Sequence, residues 1–157
     1  MHLSSTASRR LVRASGLYDL FLTAGFATPW TFALVHGQLS SLNVALGGVA
    51  LPAFAPFHLL FACLMGSVVL VWSALRILEP STRLGRFDGA AHFLFTLWMA
   101  WCLQATGAPL LWLFIVPEFI WGVAQWWPVR SRRSEAHACA EVDRAWFAWR
   151  QDGGGRA

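Results

Sequence analysis

Ionisable side chains inside otherwise apolar stretches are the residues of this sequence that could do chemistry. Asp88 and His92 are four residues apart, which places them on the same face of a helix, with Thr96 one turn further along. Glu118 follows Pro117 in another apolar stretch. Because ionisable groups are costly inside a membrane, they usually face the interior of a helix bundle and mark sites for ligands or protons.

Depth along the helices groups these residues with others. At about 1.5 Å per residue, Asp19 and Arg76 fall near the same membrane boundary as Asp88. His92 lies about one turn deeper than Asp88, and Glu118 lies near the middle of its stretch. We predict a pocket that faces the cytoplasm, with Glu118 at its floor. Its candidate residues are Glu118, His92, Asp88, Asp19, Arg76 and Gln125.

A plainer interpretation of the charged residues is structural. Asp19 and Asp88 would begin helices, where an acid is favoured by the helix dipole, and Arg76 would neutralise one of them. Glu118 is not explained in this way.

Composition indicates that the helices carrying these residues lie in lipid. The chain has 157 residues, of which 57% are hydrophobic and 13% charged, whereas soluble domains carry about 25% charged residues. Four apolar stretches approach the length of about 20 residues that crosses a bilayer. They run from Leu17 to His36, Phe57 to Leu78, Phe87 to Leu103 and Ala108 to Trp127. The sequence therefore predicts an all-α, polytopic membrane protein with four transmembrane helices.

Arginine placement predicts the orientation of these helices. Arginines precede the first stretch, lie around the connection between the second and third, and follow the fourth, whereas residues 37–56 and 104–107 contain neither Arg nor Lys. The positive-inside rule then puts both termini and the middle loop in the cytoplasm. The arginines concerned are Arg9, Arg10, Arg13, Arg76, Arg83, Arg86, Arg130, Arg132 and Arg133.

Three regions follow from this topology. Residues 1–16 form a basic cytoplasmic flank, 17–128 the four-helix transmembrane domain, and 129–157 a cytoplasmic tail. Within the tail, residues 134–151 place Trp146 and Trp149 near arginines, which is typical of a helix lying in the membrane interface. A disordered tail is the alternative interpretation. The uncharged first loop is apolar enough to lie on the outer membrane surface, and no cleaved signal peptide is expected.

An internal repeat links the first and third stretches. Tyr18-Asp19 lies at the start of one and Phe87-Asp88 at the start of the other. The residues that flank Trp72 in the second stretch are similar to those that flank Trp121 in the fourth. This likeness predicts two duplicated helical hairpins.

Several other classes of function are not supported. The net charge of +4 is distributed in short runs beside apolar segments, which is a topology signal and does not indicate nucleic-acid binding. Cys63, Cys102 and Cys139 lack the spacing of a zinc site or a disulfide framework. His36 and His58 could share a metal ion, but no third ligand accompanies them, so we predict no metal site.

Three stretches carry a family resemblance. They run from Tyr18-Asp19-Leu20-Phe21 to Ala27-Thr28-Pro29-Trp30, then Pro56-Phe57-His58-Leu59-Leu60-Phe61, then Phe87-Asp88-Gly89-Ala90-Ala91. They resemble the BphX-like family of small bacterial membrane proteins, over about residues 16–128. The resemblance implies a bacterial inner-membrane location and a link to aromatic catabolism, but no activity. A looser likeness is to DoxX-like four-helix membrane proteins, although this sequence lacks a cysteine pair for redox chemistry.

Three hypotheses for function follow. The first is a non-catalytic membrane protein that binds or passes a small hydrophobic or aromatic molecule, or serves as an accessory subunit. Its pocket would be lined by Glu118 and by deep tryptophans, namely Trp30, Trp72, Trp98 and Trp101. The second is a membrane isomerase or redox subunit that uses Glu118 and His92 as acid and base. The third is a structural homo-oligomer held by Ala62 and Gly66, which allow close helix approach. The sequence does not decide whether a haem or quinone is a cofactor.

Overall fold

The structure is a computed structural model, which describes residues 3–129. This part of the chain is all helical, with five α-helices, two short 3-10 helices and a single isolated β-bridge between Leu3 and Val129. The α-helices are α1 (Ser5–Thr23), α2 (Pro29–Ala45), α3 (Pro56–Leu78), α4 (Thr82–Thr106) and α5 (Trp112–Trp126). The 3-10 helices are Ala24–Phe26 and Pro109–Leu111. The interfacial helix predicted at 134–151, with nearly all of the tail, lies outside the described residues.

Local capping signals set where these helices begin and end. Ser4, Thr28 and Ser81 precede α1, α2 and α4, and each side-chain oxygen accepts a hydrogen bond from the backbone N–H three residues on. Pro29 follows Thr28 at the first position of α2, where a missing N–H costs nothing. Gly107 ends α4 with a φ of 66°, a left-handed conformation that glycine adopts without strain.

The prediction of one continuous helix over 17–36 was wrong. α1 already begins at Ser5, inside the predicted flank 1–16, and it ends at Thr23. A 3-10 turn and the cap at Thr28 then separate it from α2. The physical reason is the proline at position 29, since the residue before a proline is disfavoured in the α conformation and ends the preceding helix.

The other three predicted stretches each contain one α-helix. α3 agrees with the predicted 57–78 to within one residue, and α4 extends the predicted 87–103 at both ends. The fourth stretch is a 3-10 turn followed by α5, which contains Pro117.

The long helices pack as two pairs, α1 with α3 and α4 with α5, and α1 also contacts α4 and α5. α2 contacts both 3-10 helices, and it therefore lies across one end of this bundle. Asn43 anchors the C-terminal end of α2. Its side chain is fully buried, accepts the backbone N–H of Leu110 at 3.1 Å and donates to the carbonyl of Val49 at 2.7 Å. The bundle end formed by the two 3-10 helices is thereby covered.

The opposite end of the bundle holds both ends of the described chain and the connection between α3 and α4. The N–H of Leu3 donates to the carbonyl of Pro128 at 2.9 Å, and Arg13 Nε donates to the carbonyl of Ile77 at 3.1 Å. All arginines of the described residues belong to the helix segments at this end. They are Arg9, Arg10, Arg13, Arg76, Arg83 and Arg86.

Burial is inverted relative to a soluble protein. The buried side chains are mostly polar or charged, and the exposed ones include most of the large apolar residues. Two segments are long and apolar enough to cross a membrane, Pro56–Leu78 and Pro109–Trp126, and only 17% and 28% of their apolar windows are buried. A core helix of a soluble protein would be mostly buried, so these two helices indicate association with a membrane.

Gly66 provides a test of the packing between α3 and the first 3-10 helix. A Cβ at this position would lie 2.7 Å from the backbone carbonyl carbon of Phe26, and backbone cannot move aside cheaply. We expect Gly66→Ala to lower the free energy of unfolding by about 1–3 kcal/mol, measured by denaturant titration in detergent micelles.

Gly37, in the middle of α2, is the matched control because a Cβ there would meet nothing within 4 Å. Gly37→Ala should leave stability unchanged or raise it by up to about 1 kcal/mol. Equal effects of the two substitutions would contradict the close contact at Gly66.

Candidate functional site

Arg76 lies at the centre of a buried polar cluster between the helices. Its side chain is 0% exposed. One terminal nitrogen donates to Asp19 Oδ2 at 2.6 Å and the other donates to Asp88 Oδ2. The same two nitrogens also donate to Ser73 Oγ at 3.1 Å and to Ser15 Oγ at 3.0 Å. One guanidinium therefore joins α1, α3 and α4, with a carboxylate partner on each side.

Asp88 receives more hydrogen bonds than any other carboxylate of the cluster. Besides Arg76, it accepts from Trp72 Nε1 at 2.8 Å, Gln125 Nε2 at 2.6 Å and Ser15 Oγ at 2.9 Å. These donors come from α3, α5 and α1, so Asp88 is held by all three neighbouring long helices. A carboxylate with this many donors is fixed in position and is unsuited to move during a reaction.

His92 connects the ion pairs to Glu118. Its Nδ1 lies 2.5 Å from Glu118 Oε2, and its Nε2 lies 3.0 Å from Ser15 Oγ and 3.3 Å from Asp88 Oδ2. Both ring nitrogens are therefore occupied by protein groups. The imidazole is a bridge inside the cluster, and it does not line the cavity described next.

An apolar cavity of about 330 Å³ adjoins this cluster. Asp19 and Glu118 form its polar end, and their side chains retain 9% exposure. The remaining walls come from α1, the first 3-10 helix, α2, α3, α4 and α5. They are Leu22, Thr23, Phe26, Leu39, Val69, Phe95, Trp98, Met99 and Phe114. The volume lies within the range of small-molecule sites, which are mostly apolar with a few placed polar groups.

The structure brings all six predicted pocket residues into one connected cluster. Each is buried, and each is within hydrogen-bonding distance of another member. Sequence reasoning missed Ser15, which contacts Arg76, Asp88 and His92. Its position four residues before Asp19, on the same helix face, is the signal that could have identified it.

Two details of the predicted site differ from the structure. The cavity extends from Asp19 and Glu118 toward Phe26 and Leu39, away from the arginine-rich end where its opening was expected. Of the four deep tryptophans, Trp98 lines it, and Trp72 instead bonds Asp88. The reason is that the cluster itself fills the arginine-rich half of the bundle.

The helix-capping interpretation of the two aspartates was wrong. Asp19 lies near the end of α1 and Asp88 beyond the first turn of α4, because both helices begin earlier than the sequence suggested. Ser4 and Ser81 hold the capping positions. Arg76 pairs with both carboxylates, where pairing with one was expected.

Two places in the structure hold side chains of metal-ligating types. Ligand atoms of Asp19, Asp88 and His92 lie within 4.8 Å of one another. The guanidinium of Arg76 already supplies a cation to both carboxylates there, so a metal ion would have to displace it. His36 and His58 both pack against the ring of Phe54, and His36 Nε2 lies 3.0 Å from the carbonyl of Pro52.

Comparison with known proteins gives no match: no protein-family model, curated protein or solved structure matches this chain. Inference about function therefore starts from the cluster and the cavity.

Removing the central cation tests whether the cluster holds the helices together. Arg76→Met leaves two buried carboxylates without their counter-charge, and breaking a buried ion pair in this way costs about 3–5 kcal/mol. We expect a loss of that size in the free energy of unfolding, measured by denaturant titration in detergent. Arg83→Met is the matched control, since Arg83 is exposed on the first turn of α4. Comparable losses in the free energy of unfolding of the two variants would show that Arg76 stabilises the fold no more than an exposed arginine does.

Proposed function

We propose that the chain is a multi-pass protein of the bacterial inner membrane, in which α1, α3, α4 and α5 each cross the bilayer. α1 with its 3-10 helix is about 33 Å long, and α4, with 25 residues, is about 38 Å long. What lowers the mean hydropathy of α1 and α4 is a set of charged residues. The deepest of these, Asp19 and Asp88, are paired with Arg76 inside the bundle and do not face lipid.

The distribution of charge supports an orientation with both termini in the cytoplasm. The arginines of residues 3–129 lie at the end that holds both ends of the described chain, and α2 covers an end where no described Arg or Lys lies. This is the arrangement of the positive-inside rule, with α2 lying at the outer surface. Membership of the BphX-like family, inferred from the sequence likeness, belongs to the same proposal.

The proposed activity is binding of a small apolar molecule, either as a carrier or as an accessory subunit of a membrane system. The observation that supports this most directly is the cavity of about 330 Å³ with apolar walls and two carboxylates at one end. Its walls draw on every long helix and on α2, and it is partly open to its surroundings. A lipid-soluble molecule would reach such a site from the bilayer.

The geometry gives less support to the two rival functions. An enzyme using His92 as a base would need a free ring nitrogen near the substrate, but Ser15, Asp88 and Glu118 occupy both nitrogens. An oligomer held by Ala62 and Gly66 would need both residues on an open face, but Gly66 is buried against Phe26 of the same chain.

Cysteine labelling tests the four-span topology. In a variant with its own cysteines replaced by alanine, Val49→Cys and Gln104→Cys should react with a membrane-impermeant maleimide added to spheroplasts. Glu79→Cys, in the connection between α3 and α4, should react only after the membrane is broken. Labelling of Gln104→Cys together with Glu79→Cys would place both ends of α4 on one side and contradict the proposal. The replaced cysteines are Cys63, Cys102 and Cys139.

Filling the cavity tests the binding activity. Val69 lines the cavity, whereas Val71 on the same helix is 73% exposed. With naphthalene as the probe and the protein in lipid nanodiscs, Val69→Phe should weaken saturable binding by about tenfold or more, because a larger side chain occupies the space. Val71→Phe should bind as the unmodified protein does. An unmodified protein that takes up no more naphthalene than empty nanodiscs would refute the proposed activity.

A further inference from the structure

Two carboxylate oxygens at the polar end of the cavity lack a donor among the described residues 3–129. Asp19 uses Oδ2 for Arg76, and Glu118 uses Oε2 for His92. No described residue donates a hydrogen bond to Asp19 Oδ1 or to Glu118 Oε1, and both residues line the cavity. A buried carboxylate oxygen without a donor is unfavourable, so this end of the cavity favours an occupant that supplies one.

We propose that the occupant is an apolar molecule whose head group donates hydrogen bonds, a hydroxyl or a protonated amine, to Asp19 Oδ1 and Glu118 Oε1. This inference rests on the proposed binding function and specifies its ligand class. A ketone, quinone or ether offers only acceptors, and an acceptor facing two carboxylates is repelled.

The formal charges of the cluster agree with a donor. Asp19, Asp88 and Glu118 contribute three carboxylates, and Arg76 and His92 contribute two basic groups. With all five groups ionised, one negative charge is left over. A donating head group directs positive hydrogen density, or the full charge of an ammonium, at the two carboxylates that border the cavity.

The one hydroxyl group of the lining is already satisfied. Thr23 donates its hydroxyl to the backbone carbonyl of Asp19 at 2.6 Å. Beyond it the walls are aliphatic and aromatic, including Phe26, Phe95 and Phe114. The head group therefore lies between α1 and α5, and the body of the ligand extends along the aromatic side chains toward α2.

A series of probes with one ring system and different head groups tests the ligand class. The probes are naphthalene, 2-methoxynaphthalene, 2-naphthol and 2-naphthylmethylamine, each bound to the protein in nanodiscs, with uptake by empty nanodiscs subtracted. We expect 2-naphthol, 2-naphthylmethylamine or both to bind at least about tenfold more tightly than the methoxy compound, as one hydrogen bond to a charged acceptor predicts. The amine and the hydroxyl arms identify which donor is preferred.

Glu118→Gln locates the recognition. An amide that keeps its oxygen on His92 turns an N–H toward the cavity, so the preference for donors should fall to about threefold or less, while naphthalene still binds. Glu79→Gln, an exposed acid outside the cavity, should leave the ranking unchanged, and Asp19→Asn provides a second variant of the site.

The outcomes separate this inference from the binding function. If all four probes bind equally and Val69→Phe blocks them all, the cavity binds apolar molecules and the donor inference is overturned. A preference for the methoxy compound would overturn it as well, and so would a donor preference unaffected by both Glu118→Gln and Asp19→Asn. Absence of any binding refutes the proposed function and this inference together.

Discussion

The ion pairs of Arg76 are the constraint on which the remaining structure depends. A guanidinium with 0% exposure needs compensating charge, because burying an unpaired ion is far more costly than burying a pair. Asp19 and Asp88 supply that charge from α1 and α4, and both helices must therefore approach α3 at the same level. Gln125 and Glu118 attach α5 through Asp88 and His92. These hydrogen bonds connect all four long helices, directly or through one further residue, to one buried arginine.

The sequence allowed much of this cluster to be predicted, for a physical reason. Charged residues in apolar stretches have few acceptable positions other than the bundle interior, so Asp88, His92 and Glu118 were identifiable from their positions within those stretches. The limits of α3 were predictable because both of its ends coincide with a change from apolar to polar or turn-forming residues. The all-helical fold followed in the same way.

Other features depend on tertiary geometry that a single sequence does not display. The start of α1 at Ser5 lies among polar residues, where hydropathy carries no signal, although Ser4 is a recognisable cap. Predicting the break before α2 required knowing how strongly Thr28 and Pro29 interrupt an apolar run. The cavity lies on the other side of the polar cluster from its predicted opening. Depth counted along each helix does not show where side chains leave space.

The two helix pairs have related interiors. In the first pair Asp19 bonds Arg76, and in the second Asp88 bonds Gln125, with Arg76 and Gln125 each four residues after a tryptophan. Val69 and Glu118, each three residues before that tryptophan, both line the cavity. The register of the predicted repeat therefore brings matching positions of the two pairs to one site. The pairs differ in the partner of the aspartate, which is a charged arginine in the first pair and a neutral glutamine in the second.

That difference gives the order of synthesis a consequence. If the helices insert as proposed, the ribosome delivers α1 and α3 first, and this pair already carries an acid and a base that neutralise each other. The pair α4 and α5 follows, and its buried ionisable side chains are two acids, Asp88 and Glu118, and one basic group, His92. The pair α1 and α3 can reside in lipid with its buried acid and base paired. The buried charges of α4 and α5 are not matched within that pair. On leaving the insertion machinery, Asp88 of α4 would then bond an Arg76 that Asp19 already holds in place between α1 and α3.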